Sequence, residues 1–278
     1  MSLRDALAPL LLAGWRLAWP LVAPPQTFRI LLLHDIPVSK REAFARLVRD
    51  LAAAGRLIAP SDAEAILAGG TVPPGPPPVL LSFDDGFASN LEVAETVLAP
   101  LGIRALFFVC PGLIELEPQA RPAAATANIL RGQRPAPEPL LGWEGIERLA
   151  ALGHTIGSHT SHHLRLTALS PDQRAEEIGG AARLLAARLG RVPDWFAYTF
   201  GDIAAVDAAA LAEIGRYHRY CRSGIRGPNG KATPPLALRG DNIDLGSGEA
   251  WRRLAAEGGL DLLYRKQRRR LDVMADRS

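Results

Sequence analysis

Six short apolar runs, near residues 28–34, 79–83, 105–109, 154–157, 195–198 and 217–221, recur along this chain with helix-length segments between them at 40–54, 88–99, 143–152, 172–189 and 203–214. Runs this short read as strands, and helices alternating with them imply parallel strands with helices outside. The fold class is therefore α/β. The pattern alone does not separate a (β/α) barrel from an open doubly wound sheet. With 278 residues and 48% apolar content, the chain suffices for one full-sized domain, and no internal repeat is evident.

Two of the runs end in polar clusters. Pro78-Val79-Leu80-Leu81-Ser82-Phe83 leads into Asp84-Asp85-Gly86, and His154-Thr155-Ile156-Gly157 leads into Ser158-His159-Thr160-Ser161-His162-His163. In a parallel sheet both clusters sit at C-terminal strand ends, where such folds build their sites. Asp84 and Asp85 point to opposite faces on a regular strand, so the turn that Gly86 permits is needed to bring both into one site. His159 and His163 are spaced i, i+4, which predicts one face of a helical turn with Cβ atoms about 5–6 Å apart. Two imidazoles and a carboxylate commonly hold a divalent ion with one position open, and the second carboxylate can then act as a base. A lone Asp-Asp-Gly is ordinarily a solvated turn, and His162 adds chance spacings. The two clusters together point to a metal-dependent hydrolase.

Ser82-Phe83-Asp84-Asp85-Gly86 and His159-Thr160-Ser161-His162-His163, continuing to Leu166, resemble the first two motifs of the NodB-type polysaccharide deacetylases, carbohydrate esterase family four. The resemblance implies that Asp84 is the general base and that Asp85, His159 and His163 ligate the metal, with His162 a bystander. The implied cofactor is a divalent ion, zinc first, with cobalt or another divalent ion as alternatives. Phe196-Ala197-Tyr198-Thr199-Phe200-Gly201 resembles the Phe-Ala-Tyr-Pro-Tyr-Gly third motif of the branch acting on poly-N-acetylglucosamine, although Ala197 stands where the family carries an arginine. On that match the backbone N–H of Phe200 helps hold the oxyanion, which needs no particular side chain. A merely buried aromatic strand is the competing reading. The family's C-terminal histidine, which protonates the departing amine, has no counterpart after His218, and Arg239 stands where it would be sought. Ile30-Leu31-Leu32-Leu33-His34-Asp35 resembles the start of the same branch, whose circularly permuted barrel brings the histidine strand first. His34 is thus the expected general acid, its ordinary pKa of about 6.5 suiting proton transfer near neutrality, with Asp35 considered as its orienting group. The implied fold is a distorted (β/α) barrel of about seven parallel strands. The resemblance covers Phe28 to Gly201.

The other polar residues carry less. His154 and His218 read as structural or exposed, and Asp202 as the N-cap of a helix from Ile203 onward, in preference to a partner of the site. Pro73 to Pro78 forms a stiff connector, and Pro118 to Pro139 a long loop on the active-site side. Cys110 and Cys221 show no ligand-type spacing. The chain divides into an apolar segment 1–26, a catalytic domain 27–250 and a basic helix or tail 251–278. Arg4, Asp5 and Arg16 break the first segment too often for a spanning helix, so it reads as amphipathic, lying on the barrel or at a membrane surface. Net charge is +3, and the run Arg265-Lys266-Gln267-Arg268-Arg269-Arg270 reads as a solvated helix or a contact for anionic lipid; without interleaved aromatics it does not suit nucleic acid. The expected activity is hydrolysis of N-acetyl groups on an amino-sugar polysaccharide or its precursor. The alternatives are a non-catalytic carbohydrate-binding relative, a hydrolase of another amide or O-acetyl ester, and a basic membrane-associated scaffold. Location stays open between a cell envelope or membrane surface, which the termini favour, and the free cytoplasm; oligomeric state stays open as well.

Overall fold

Alternate residues of each run point to opposite sides of the sheet, and this period of two organises the molecule. The computed structural model describes residues 3–22, 26–72, 74–132 and 139–278; Pro73 and residues 133–138, parts of the two Pro-rich tracts, lie outside the described residues, as do 23–25. Strands β1 (Thr27–Leu33), β2 (Val79–Phe83), β3 (Leu106–Val109), β4 (Thr155–Ser158), β5 (Trp195–Ala197) and β6 (Tyr220–Arg222) lie side by side in chain order, all parallel. Strand β7 (Asn229–Gly230) pairs antiparallel with the start of β1, and β8 (Asp241–Asn242) pairs parallel with Leu31 and Leu32. The chain entering β8 spans the gap between the outer strands. Leu238 bridges Arg222, donating its N–H to Cys221 O and accepting that of Ser223, while Ile243 N–H donates to Leu32 O. The result is a curled, mostly parallel sheet of the distorted (β/α) barrel type.

Helices fill the crossovers. In chain order they are α1 (Leu3–Val22), then α2 (Val38–Ala53) and α3 (Pro60–Leu67) before β2, α4 (Ala88–Val93) before β3, and α5 (Pro111–Glu115), α6 (Arg121–Asn128) and α7 (Trp143–Ala151) before β4. After β4 come α8 (Pro171–Ala175) and α9 (Ala181–Leu189), joined by a π turn over Glu176–Gly180. α10 (Ala208–Gly215) precedes β6, and α11 (Glu249–Ala256) and α12 (Arg265–Ala275) end the chain.

Outward residues Leu31, Leu33, Leu81, Phe83 and Phe107 pack against Phe44 and Val48 of α2 and Ile146 and Leu149 of α7. Inward residues Phe28, Ile30, Leu80, Leu106, Phe108, Trp195 and Tyr220 fill the barrel, and Ala63 and Ile66 of α3 close its N-terminal mouth, where Trp195 Nε1 donates to Glu64 at 2.7 Å. Each such side chain is worth about 1.5–3 kcal/mol when buried. A one-residue register slip would exchange the two sets, so the register is firmly specified.

Three local expectations change. The helix predicted from Ile203 begins only at Ala208, because Asp207 is the cap: its Oδ1 accepts Ala210 N–H at 2.7 Å. Asp202 instead accepts Ala204 N–H at 2.8 Å in a turn and pairs with Arg165 at 3.0 Å. The Pro118 to Pro139 region contains α6, and no element had been predicted over α3, α5, β7 or β8. The basic C-terminal segment is docked: Leu271 of α12 is fully buried, and Arg239 pairs with Asp272 at 2.6 Å. Arg29 of β1, buried completely, holds Asp241 of β8 and Asp261 before α12, each at 2.8 Å.

Candidate active site

The inward alternation delivers the polar residues to one place. His34 follows Phe28, Ile30 and Leu32; Asp84 follows Leu80 and Ser82; His159 follows Thr155 and Gly157; Arg222 follows Tyr220. All four line an open cleft of about 770 Å³ at the C-terminal mouth of the barrel. Asp85 reaches the same cleft because the chain turns through left-handed conformations at Asp85 (φ 75°) and Gly86 (φ 73°). A Cβ on Gly86 would also lie 3.2 Å from Val109 Cγ1. Six described non-glycine residues are left-handed; Asp85, His163 and Phe200 line this cleft, Arg131 lies over the Phe200 ring, and Thr160 bonds His163. Such conformations cost on the order of 1–3 kcal/mol each, and their clustering marks a site rather than a generic strand end.

The helical turn expected for the histidine pair is not formed. Thr160 (φ 62°) and His163 (φ 60°) are left-handed, and the loop is held from outside instead. Glu177, presented by the π turn, accepts His162 N–H at 2.9 Å on its carboxylate, and its carbonyl accepts Ser161 N–H at 2.9 Å; Thr160 Oγ1 accepts His163 N–H at 2.9 Å. These bonds satisfy buried donors that a helix would have satisfied along its own axis. The His162 ring turns away onto Glu177 at 2.7 Å.

His159, His163 and Asp85 form a compact buried set whose candidate ligand atoms all lie within 4.8 Å of one another. Nδ1 of His159 lies 2.7 Å from Ala197 O, and Nδ1 of His163 lies 3.1 Å from Asn128 O, at the end of α6. Each carbonyl is matched by an N–H on Nδ1, which leaves Nε2 with its lone pair facing inward. The two Nε2 atoms stand 3.5 and 3.2 Å from Asp85 Oδ1, an oxygen that accepts no hydrogen bond from the described residues. Burial opposes ionisation of Asp85, but the imidazoles outweigh it and hold its pKa well below the usual carboxylate range. Burial likewise opposes protonation of His159, and the Asp85 and Asp84 carboxylates outweigh it, raising its pKa. The pocket thus attracts positive charge, and its donor set of two imidazoles and one carboxylate fits a divalent cation.

Asp84 has a different partner. Arg222 Nη2 reaches both of its oxygens at 2.5 Å, while His159 Nε2 is 3.9 Å away. Arg222 was not anticipated. It is the register partner of Ala197 on the neighbouring strand, so the cation absent from position 197 arrives one strand away. The space is cut for it: the guanidinium lies 5.0 Å from the centre of the Phe108 ring, and a Cβ on Gly240 would approach Arg222 Cδ to 3.0 Å. The usable signal was parity, since Arg222 follows inward Tyr220 just beyond the apolar run. A buried ion pair adds little net stability, and Arg222 Nε has no partner among the described residues. What the pair achieves is to fix the Asp84 carboxylate in place beside Asp85.

Phe200 forms a wall of the cleft. Its ring meets that of His163 edge-on at 4.8 Å, with the Arg131 and Arg165 guanidinium groups 4.1 and 4.7 Å from its centre. Thr199, in place of the expected proline, donates its hydroxyl to Leu164 O at 2.6 Å. His34 is exposed at the rim, its backbone carbonyl held by Asn90 Nδ2 at 2.9 Å. Asp35 does not orient it, because the Asp35 carboxylate accepts the Ser89 hydroxyl at 2.8 Å on the other side. His154 and His218 are buried away from the cleft on backbone partners, and Cys110 and Cys221 are buried free thiols.

Comparison with known proteins places the chain in a family. The sequence model of the family described as polysaccharide deacetylase matches residues 71–217, more than half of the chain. The chain belongs to the polysaccharide deacetylase family. The matched span takes in Asp84, Asp85, His159, His163 and Phe200 but leaves out β1 with His34, and Arg222. YxkH of Bacillus subtilis, which carries the name of a polysaccharide deacetylase, is 26% identical over 175 residues; the match takes in 60% of this family member and 54% of YxkH. The chain therefore spans about half the length of that curated relative. Among solved structures, the Streptococcus pyogenes deacetylase PplD (18% identity, 86% of this chain and 98% of that one) and IcaB from Ammonifex degensii (23%, 84% and 97%) each superpose with a TM-score of 0.63. At such identities they show the shared deacetylase fold.

Proposed function

We propose that this polysaccharide deacetylase family member hydrolyses N-acetyl groups on an amino-sugar polysaccharide or its precursor, through residues 27–250, with a divalent cation held by Asp85, His159 and His163. The observation that carries the reading is the division of labour between adjacent carboxylates: Asp85 faces two imidazole nitrogens, while Asp84 is held by Arg222. A divalent cation at such a site supplies Lewis-acid chemistry, making a carbonyl more electrophilic and water more acidic. Asp84, held in place by Arg222, takes the proton from the attacking water. The Phe200 N–H, which donates to none of the described residues and belongs to a wall of the cleft, is the donor assigned to the oxygen on which charge develops. His34, exposed at the rim, returns a proton to the departing amine.

The test is acetate release from N-acetylglucosamine oligomers by metal-stripped protein, with and without added zinc or cobalt. Asp84→Asn is expected to retain cation binding and lose turnover by about 10²–10⁴-fold, whereas His159→Ala loses the cation. Equal loss of the cation in both variants would overturn the division of roles. Release from O-acetyl esters alone would move the same chemistry to another bond, and glycan affinity without turnover would identify a binding relative.

A further inference from the structure

A helix lying on a soluble surface ordinarily turns its apolar stripe inward, and α1 carries a second one on the outside. Ala8 and Leu12 are buried as α1 packs on α11. On the opposite side Leu7, Leu10 and Leu17 are 45%, 74% and 82% exposed, with Ala6, Ala13 and Gly14 completing a face that holds no charged residue. The charges of α1 sit at the flanks and are engaged with the barrel: Arg4 Nη2 donates to Ser247 Oγ at 3.0 Å, Asp5 accepts Gly248 N–H, and Arg16 pairs with Glu257.

A cationic helix follows the turn that anchors α1. Trp15 Nε1 donates to Glu257 O, so the second half of α1 is fastened to the turn from which the chain enters Leu262 and Leu263, exposed at 78% and 76%. α12 follows directly. Opposite its buried Leu271 it presents Arg265, Lys266 and Arg269, with Arg270 beside them, all exposed and without an ion-pair partner among the described residues.

We propose that the outer face of α1, the Leu262-Leu263 pair and the cationic face of α12 form one surface that seats the protein on an anionic lipid bilayer, leucines in the headgroup region and cations against lipid phosphates. Apolar area beside unpaired cations is the combination that such an interface rewards. A second copy as occupant would oppose the same four cations to each other if the face paired with itself, which is repulsive. No helix among the described residues is long and apolar enough to cross a membrane, so the contact is one of lying on the surface. The catalytic cleft is lined by none of these residues, so this inference stands or falls separately from the proposed activity.

Co-sedimentation of the full chain with phosphatidylcholine vesicles, with and without phosphatidylglycerol, tests it. Binding is expected only with the anionic lipid, weakened on the order of fivefold for each cation removed and further by salt. It should be lost in Leu10→Asp/Leu17→Asp and reduced in Lys266→Glu/Arg269→Glu. Acetate release from a soluble oligosaccharide and the melting temperature should be unchanged in both. The proposal is overturned by no sedimentation, by equal binding to neutral vesicles, by double variants that bind like the parent, or by a concentration-dependent dimer that the leucine pair abolishes.

Discussion

At Asp84 one guanidinium nitrogen serves both carboxylate oxygens, and nothing else cationic lies as near. Removing it leaves two adjacent buried carboxylates without the cation that orients and neutralises one of them. Arg222→Met is therefore expected to lower turnover by about 10²-fold, with KM and the cation affinity at Asp85, His159 and His163 little changed. Arg222→Lys should recover part of the rate by restoring a point charge without the planar fork. A folded variant that turns over like the parent would reduce Arg222 to a structural role. Removing one partner of a buried pair also destabilises by about 3–5 kcal/mol, so each variant is compared at a temperature where its melting curve shows it folded. The other residues of the site were readable as residue types in a pattern. Asp84, Asp85, His159 and His163 announce themselves by adjacency and spacing, whereas Arg222 has no motif and only its parity with Tyr220.

Elements were legible where burial is strongest. Each of the six core strands falls within about three residues of its apolar run, because a strand buried on both faces leaves a continuous hydrophobic signal. Ends were less legible, because caps depend on which hydroxyl or carboxylate finds a free N–H. Asp202 and Asp207 both precede alanine-rich sequence, and only Asp207 satisfies a first-turn donor of α10. Asp207→Ala is accordingly expected to cost about 1 kcal/mol of stability, against a few tenths for Asp202→Ala, which loses a turn bond and a half-exposed ion pair. Denaturant titration of the two variants distinguishes them, and the reverse order would restore Asp202 as the cap. The histidine loop shows the same limit. Its i, i+4 spacing suits a helix, but Glu177, on a π turn between α8 and α9, supplies competing bonds that hold left-handed residues in place.

Across the whole molecule, two buried histidines tie stability to pH. Burial pushes His154 and His218 down to about 4 from an unfolded value near 6.5. The folded state therefore keeps both neutral while the unfolded chain takes up protons. Stability is full above about pH 6.5 and falls as pH drops toward 4, by up to roughly 3 kcal/mol for His218. Urea unfolding between pH 7 and 4.5 should show that slope, and His218→Gln should flatten it; an unchanged slope would assign the acid sensitivity elsewhere. By itself the sequence determined the strand and helix alternation, the parallel sheet it implies, the paired carboxylates and histidines at strand ends and the resemblance they carry, because hydrophobic period and motif spacing are properties of neighbours along the chain. Closure of the barrel through residues 238–243, the arrival of Arg222 opposite Ala197, the hold of Glu177 on the histidine loop and the outward apolar face of α1 were decided only by tertiary structure. Each depends on contacts between residues far apart in sequence, where packing and the satisfaction of buried polar groups choose among partners that no local pattern distinguishes.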